Sequence, residues 1–374
     1  MSTEGKYHHA THRLHHRGSF SSIYWPFLAL FLLFFSSCGS TATNPDSSTS
    51  YQVPSQQNTP SSTSPQAFYH KKGVTWQIDQ TWGEWPNTNW KAVEQDASDL
   101  HNAGITWARV SFSQDPPFAY FDRVVQIAQH YQIQLLPIVY KNNPSTDLGN
   151  SSQQDEYKQW LTRSVQHFKG YIHYWEIGNE ENLSDNWNIN TDPNSNQGDF
   201  DNSVQRFVQL MQDSYEIIHA NDPNGQVVFG GLSEYRAERY LDSMIKFDAY
   251  KYMDIMAFHP YSTSPTGDLD RLKMLQTKMA SQPGFARKPI WVTEIGFHTQ
   301  SNWTNIDYVA TEQGKAAYLV ETMNLLSENG VQLSFWYTLH ESDDVNGHGL
   351  TVRNPSTLST TYLPAYNAYK QLWN

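Results

Sequence analysis

The sequence predicts an α/β fold, namely a (β/α)8 barrel that forms a single domain. From residue 73 onward, short runs rich in β-branched and aromatic residues alternate with longer amphipathic runs. Eight such pairs in roughly 300 residues suit a barrel, which typically needs about 250. A doubly wound open sheet would usually place a Gly-rich phosphate turn after its first strand, and the segment 77–83 does not have that composition.

Each predicted strand is followed by a predicted helix, as this fold requires. The strands are expected at 74–78, 106–112, 134–140, 172–178, 227–231, 255–261, 290–295 and 332–338. The helices are expected at 90–103, 118–131, 154–168, 200–220, 237–250, 269–280, 313–328 and 364–372.

The region before the barrel has the composition of a targeting signal followed by a flexible tether. Residues 1–37 combine a basic start with an apolar run of about 13 residues, shorter than the roughly 20 that span a bilayer, and predict a signal peptide. The following Cys38 resembles the lipidated cysteine of bacterial lipoproteins, although Phe35 replaces the usual leucine; an uncleaved signal anchor is the alternative. Residues 38–66 are Ser-, Thr- and Pro-rich and predict a disordered tether, which leaves 67–374 as the catalytic domain.

Charge and cysteine content exclude several classes of function. The net charge of −12 disfavours nucleic acid as a partner, because phosphate binding requires clustered Lys and Arg. A single cysteine, Cys38, excludes an internal disulfide framework and a cysteine-based zinc site. The 13 Trp and 22 Tyr residues would suit stacking against sugar rings, but many of them must also fill the core.

Two glutamates at strand ends carry most of the chemical information. Glu180 follows the fourth predicted strand, and Glu294 lies at the end of the seventh, where Ile290 and Val292 are expected to share its inward face. A carboxylate on a buried strand is costly unless it has a partner or a task. Because active sites of barrels lie where the strands end, the two carboxylates should meet in one cleft, as glycoside hydrolysis requires.

Further polar and aromatic residues are expected at the same end of the barrel. The second strand carries Arg109, and the sixth supplies His259 and Tyr261; Glu176 is expected to pair inside the barrel, and Glu181 to be a solvated rim residue. Other candidates are Asn179 beside Glu180, Trp336 on the eighth strand, and Trp82 after the first.

This ordered set resembles the clan A glycoside hydrolases, a superfamily of retaining (β/α)8 barrels that includes families 5 and 39. The resemblance covers residues 73–374. It implies that Glu180 is the general acid/base and Glu294 the nucleophile, and that Asn179 binds the sugar 2-hydroxyl.

The resemblance also implies roles for the surrounding residues. Arg109 would keep the nucleophile ionised, and Tyr261 or His259 would orient the two carboxylates, with a core histidine as the alternative for His259. Trp336 would form the floor of the −1 subsite. Trp82 would line a sugar subsite or pack in the core.

The sequence therefore predicts a retaining hydrolase of β-linked oligo- or polysaccharides that acts by double displacement. It is expected to need no cofactor or metal, to be a monomer, and to lie outside the cell or on its surface, with the membrane contacted only through a lipid anchor. The alternatives are a transglycosylase using the same site and a non-catalytic carbohydrate-binding barrel.

Overall fold

The computed structural model describes residues 70–114, 117–139, 151–183, 197–299, 310–341 and 347–373. All of them belong to the unit Thr59–Asn374. The predicted signal peptide, the tether and Cys38 lie outside the described residues.

The described strands alternate with helices along the chain. The strands are β1 (Lys71–Thr75), β2 (Trp107–Phe112), β3 (Gln134–Val139), β4 (Tyr174–Ile177), β5 (Gln226–Phe229), β6 (Leu232–Ser233), β7 (Met256–His259), β8 (Ile290–Ile295), β9 (Val331–Trp336), β10 (Thr351–Arg353) and β11 (Thr360–Tyr362). The helices are α1 (Ile78–Trp82), α2 (Trp90–Asn102), α3 (Phe118–His130), α4 (Ser151–Phe168), α5 (Gln197–Asn221), α6 (Ala237–Lys246), α7 (Pro265–Ala280), α8 (Pro283–Ala286), α9 (Glu312–Glu328) and α10 (Pro364–Gln371), with a 3₁₀ turn at Ala249–Tyr252.

The first nine strands form one parallel, barrel-shaped sheet in the order β5-β4-β3-β2-β1-β9-β8-β7-β6. β1 pairs with both β2 and β9. On the opposite side, a bridge from Val228 to Ile255 and the pairing of β6 with β7 bring the ends of the sheet together. β5 and β6 flank Gly230 and Gly231, so they share the fifth strand position. This architecture confirms the predicted (β/α)8 fold class.

Several helices begin where the sequence supplies a capping side chain. Asn89 accepts a hydrogen bond from the Ala92 backbone N–H before α2, and Thr311 accepts one from Gly314 before α9. Such caps satisfy backbone donors that the first turn leaves unpaired. Within the described part of the chain, no helix has the length and hydropathy of a membrane span.

The predicted first strand was displaced towards its C-terminal end. β1 begins at Lys71, and the predicted end residue Ile78 starts α1 instead. Lys72 is only 4% exposed, and its Nζ donates to the carbonyl oxygens of Tyr369 and Leu372, 3.1 Å away in each case. A buried lysine is tolerated in this strand because the carboxyl end of α10 offers carbonyl acceptors that complement its charge.

Two apolar layers lie on opposite faces of the barrel sheet. The larger layer packs between the strands and the surrounding helices. The smaller layer fills the barrel interior and consists of Trp107, Leu136, Val228, Ile255, Ala257, Trp291, Leu333 and Phe335. Because side chains alternate along a strand, this inner layer identifies which residues of each strand point towards the barrel axis.

The inner layer corrects our expectation for β8. Trp291 belongs to the inner layer, whereas Ile290 and Val292 pack in the outer layer. Because side chains alternate between the two faces of a strand, Glu294 would be expected to point outward with Ile290 and Val292. The pairing of β8 with β9 has an irregularity in register between Val292 and Ile295, and such irregularities re-aim side chains.

Candidate active site

A buried arginine connects three strand ends above the inner apolar layer. Arg109 lies two residues after Trp107 on β2 and is 1% exposed. Its Nε donates to Glu176 Oε2 at 2.5 Å, and its Nη2 donates to Glu176 Oε1 at 3.2 Å. Glu176 is fully buried, so this bidentate pair confirms its expected position inside the barrel. The Arg109 guanidinium has further N–H donors beyond this pair, and they are directed towards the cleft.

Those donors reach the other predicted site residues. Arg109 Nη1 donates to Glu294 Oε1, and Nη2 donates to Asn179 Oδ1 at 2.6 Å. Arg109 and Glu176 are almost fully buried, whereas the side chain of Glu294 is 14% exposed. Arg109 therefore anchors the strand ends on one side and places a positive charge against Glu294 on the cleft side.

His259 contacts Glu180 from the inner face of β7. Its Nδ1 lies 3.0 Å from Glu180 Oε1, and its Nε2 lies 3.0 Å from Thr293 Oγ1. Burial lowers the pKa of His259 from 6.5 to about 4, against the opposing charge of Glu294, so the ring is neutral at neutral pH. A neutral imidazole has one N–H; donation from Nδ1 to Glu180 leaves Nε2 to accept from Thr293.

Glu294 has a second polar partner in Tyr261. The Tyr261 hydroxyl donates to Glu294 Oε2 at 3.4 Å. Burial, followed by the charge of Glu294, raises the pKa of Tyr261 well above its usual value. The phenol therefore remains a neutral donor, as a group that orients a carboxylate should be.

The two predicted catalytic carboxylates face each other. Glu180, His259 and Glu294 each present an oxygen or nitrogen atom, and these three atoms all lie within 4.8 Å of one another. Among the described residues, this set is the grouping with suitable spacing for a metal ion. The adjacent Arg109 guanidinium opposes a cation at Glu294 electrostatically, and the same atoms are engaged in hydrogen bonds within the site.

Two consecutive glycines allow these elements to approach. A Cβ on Gly230 would lie 2.2 Å from the Ile177 carbonyl oxygen, and one on Gly231 would lie 1.9 Å from His259 Nε2. The Gly231 backbone also accepts from Glu180 N–H at 3.1 Å and donates to Glu176 Oε1 at 3.2 Å. The glycines between β5 and β6 thus allow the end of β4 and the end of β7 to approach this segment closely.

Two residues that were predicted to contact the substrate are instead buried in the outer apolar layer, between the strands and the helices. Trp82 is 7% exposed, and its indole N–H donates to Asp96 Oδ2 at 2.5 Å. Trp336 is fully buried in the outer layer, with its indole N–H on the His348 carbonyl oxygen at 2.9 Å. Neither ring is available to a sugar in this structure. For Trp336, the reason is alternation, because Leu333 and Phe335 take the inward positions.

Tyr337 takes the place at the cleft that was expected for Trp336. It directly follows β9, is only partly buried, and accepts a hydrogen bond from Gln77 Nε2 at 3.1 Å. Its phenol also lies near enough to raise the pKa of Tyr261. Once the structure shows that Leu333 and Phe335 point inward, alternation along the strand places Tyr337 on the same side.

Glu181 also differs from its predicted position on the solvated rim. It is 5% exposed, and its Oε1 accepts the Asn179 backbone N–H at 2.7 Å. A buried carboxyl immediately after Glu180 had no signal in the local sequence pattern, because adjacent residues normally point to opposite sides.

Comparison with known proteins agrees with this geometry. The family model of the glycosyl hydrolase catalytic core matches residues 179–362, a range that begins at Asn179 and contains both glutamates. No curated protein sequence matches the chain.

Solved structures of several glycosidases share the barrel. A family 39 glycoside hydrolase from Bacteroides cellulosilyticus WH2 superposes with a TM-score of 0.59 and 17% identity over 81% of this chain and 63% of its own. A β-glucuronidase from Bacteroides uniformis gives 0.61 and 14% over 82% of this chain and 35% of its own. A family 1 β-glucosidase from Thermotoga maritima gives 0.55 and 12% over 80% of this chain and 96% of its own. The chain thus spans under two thirds of the first two proteins.

The fold and the family match point to the same class of protein. Residues 179–362 match the glycosyl hydrolase catalytic core, and the barrel is shared with a family 39 glycoside hydrolase and with other solved glycosidases. Both findings agree with the resemblance seen in the sequence.

Proposed function

We propose that this protein is a glycosidase, which hydrolyses β-linked glycosides with retention of anomeric configuration, by double displacement. The separation of the two carboxyl groups carries the proposal. One oxygen of Glu180 and one of Glu294 lie within 4.8 Å. Retaining enzymes hold their carboxyl groups about 5–5.5 Å apart, whereas inverting enzymes need about 6.5–9.5 Å to admit a water molecule. The solved glycosidases that share the barrel and act on β-glycosides support the choice of linkage.

In the first step, Glu294 attacks the anomeric carbon while Glu180 protonates the departing oxygen. The nucleophile must be ionised, and the Arg109 guanidinium and the Tyr261 hydroxyl both stabilise a carboxylate at Glu294. The acid must retain its proton, and the negative charge of Glu294 across the cleft favours the protonated form of Glu180. The C–O bond to the aglycone breaks as the bond to Glu294 forms.

In the second step, water releases the sugar. Glu180, now ionised, removes a proton from the water, whose oxygen attacks the anomeric carbon and displaces Glu294. His259 supports both steps, because a neutral imidazole donates to Glu180 without adding a charge to the site.

Asn179 provides the contact to the 2-hydroxyl in this proposal. Its Oδ1 accepts from Arg109 Nη2, and this bond fixes the amide plane. The amide NH2 is then the donor that a sugar hydroxyl would meet. Hydrogen bonds to the 2-hydroxyl strengthen in the transition state and supply part of the catalysis.

The experiment that tests this proposal is proton NMR of the first-formed product from purified residues 67–374. A panel of aryl β-glycosides with gluco, galacto, xylo and glucurono configurations identifies a usable substrate. We expect the β-anomer to appear before mutarotation; the α-anomer would refute retention. Glu180→Gln should lower kcat/KM by about 10²–10⁴-fold on substrates with poor leaving groups. Ligand binding that persists with no turnover in the wild type would instead indicate a non-catalytic barrel.

Added sugar acceptors distinguish hydrolysis from transglycosylation. Because both reactions pass through the same intermediate on Glu294, the ratio of free sugar to transfer product decides between them. We expect hydrolysis to dominate at millimolar acceptor.

We further propose that the enzyme is exported and attached to a membrane surface through Cys38. The support is the order of basic, apolar and small residues before this cysteine. Metabolic labelling with a palmitate analogue in a bacterial host should label the wild type but not Cys38→Ala. Equal labelling of both would contradict the anchor.

A further inference from the structure

The buried carboxyl group of Glu181 lies directly beneath the backbone turn that presents Glu180. Its Oε1 accepts the Asn179 backbone N–H at 2.7 Å. A Cβ on Gly178 would lie 2.0 Å from that same oxygen. The carboxyl group can occupy this position only because residue 178 is a glycine. The two residues therefore form a matched pair at the end of β4.

The turn that Glu181 supports has an unfavourable backbone conformation. Gly178 has φ +80° and Glu180 has φ +53°. The left-handed region suits glycine but is unfavourable for a glutamate, whose Cβ crowds the backbone. Such conformations persist where surrounding contacts fix them, and they concentrate at functional sites.

Hydrogen bonds with three different residues, Gly231, Arg109 and Glu181, help to fix this turn. The Glu180 N–H donates to the Gly231 carbonyl at 3.1 Å, and the Asn179 side chain accepts from Arg109 at 2.6 Å. The third is the bond from the Asn179 N–H to Glu181. Without it, a buried N–H at the centre of the turn would lose its acceptor.

The surroundings of Glu181 favour its neutral form. Its Oε2 is buried and has no hydrogen-bond partner among the described residues. Burial raises its pKa well above the usual value, despite hydrogen bonds from backbone N–H groups, and the charges of Glu176 and Glu180 raise it further. The phenol of Tyr240 is near enough for a charge on Glu181 to raise its pKa as well.

We propose that Glu181 is a positioning residue for the acid/base, whose buried side chain holds the Gly178–Asn179–Glu180 turn in the conformation that directs Glu180 at the leaving oxygen. As a carboxylic acid, it does this without adding a third negative charge beside Glu176 and Glu180. A charge there would oppose ionisation of Glu180, which the second step requires. This inference rests on the proposed acid/base role of Glu180.

The leaving group of the substrate provides a specific readout. A dinitrophenolate departs without protonation, whereas an alkyl alcohol needs the acid, so misplacement of Glu180 should slow only the second type of substrate. The measured quantity is kcat/KM, because it reports the glycosylation step. We expect Glu181→Ala to lower it at least about tenfold more for the alkyl glycoside than for the dinitrophenyl glycoside.

Glu181→Gln tests the neutral state, since its amide has the shape of a carboxylic acid and keeps an acceptor oxygen for the Asn179 N–H. We expect both substrates to react within about threefold of wild type and the pH profile to be unchanged. The matched control is Asp201→Ala, which removes a carboxyl group that is 6% exposed and binds Ser243 and Lys246. It should affect both substrates equally.

A second measurement does not depend on activity. In protein labelled with ¹³C at glutamate carboxyl carbons, the signal lost in Glu181→Gln should keep its protonated shift well above pH 4.5. A signal that titrates near pH 4.5, the ordinary glutamate value, would overturn the inference. So would equal losses on both substrates in Glu181→Ala, or a Glu181→Gln variant as impaired as Glu181→Ala.

Glu180→Gln, assayed in parallel, separates the two proposals. If this variant discriminates between leaving groups no more than the wild type does, the acid/base assignment fails, and the role of Glu181 fails with it. If Glu180→Gln responds as expected and Glu181→Ala does not, only the inference about Glu181 is overturned.

Discussion

Replacing Arg109 by methionine should destabilise the barrel strongly. The guanidinium is 1% exposed and pairs with Glu176, whose side chain is fully buried. Removing one partner of a buried ion pair leaves an uncompensated charge, at a cost of about 3–5 kcal/mol. In a domain of this size, each kcal/mol lowers Tm by roughly 2–4 °C, so we expect a fall on the order of 10 °C.

An exposed arginine offers a matched control for this measurement. Arg123 pairs with Glu94 at 2.8 Å, but both side chains are nearly half exposed. Arg123→Met should therefore change the free energy of unfolding by less than about 1 kcal/mol. The double variant Arg109→Met/Glu176→Gln removes both buried charges and should recover part of the stability that Arg109→Met loses.

The assay is urea unfolding at pH 7 followed by tryptophan fluorescence, together with kcat/KM at the same pH. Arg109→Met also removes the guanidinium that donates to Glu294 and Asn179, so kcat/KM should fall as well. Arg109→Lys should keep the positive charge but lose the bidentate bond to Glu176. If Arg109→Met were as stable as Arg123→Met, the reasoning from burial would be refuted.

Three further outcomes follow from buried groups near the site. The pKa of His259 is lowered from 6.5 to about 4, so the unfolded chain takes up this proton first as pH falls. The contribution of His259 to the free energy of unfolding is full above pH 6.5 and should fall by about 3 kcal/mol towards pH 4. Burial raises the pKa of Asp268 from 3.8 to about 7, so its contribution is full at low pH and should fall by about 4 kcal/mol as pH rises to 7. Because the two contributions oppose each other in the wild type, each is measured by urea unfolding as the difference between the wild type and His259→Gln or Asp268→Asn, and a difference that does not change with pH would contradict the assignment. Gly231→Ala places a Cβ 1.9 Å from His259 Nε2 and should lower kcat at least about tenfold through displacement of the ring, while full activity would show that the ring can yield.

The order of elements and the candidate carboxylates were readable from the sequence because both are local properties. Periodicity over five to fifteen residues predicts a strand or a helix, and β8 was predicted with the observed bounds, Ile290–Ile295. A polar residue at the end of an apolar strand marks the catalytic face of a barrel without any knowledge of its neighbours. Arg109, Glu180, His259 and Glu294 were all found in this way, and the structure brings them together.

Only the tertiary structure decided where the side chains at the strand ends point. Glu294 reaches the cleft through an irregularity in the pairing of β8 with β9, which is a property of two strands far apart in sequence. Trp336 faces the helices while Tyr337 faces the cleft, because the barrel interior selects which of two adjacent residues points inward. Glu181 is buried because Gly178 leaves space beneath the turn. The direction of a side chain at a strand end depends on the pairing register of the strands and on the space that distant residues leave. Neither is encoded in the local sequence pattern.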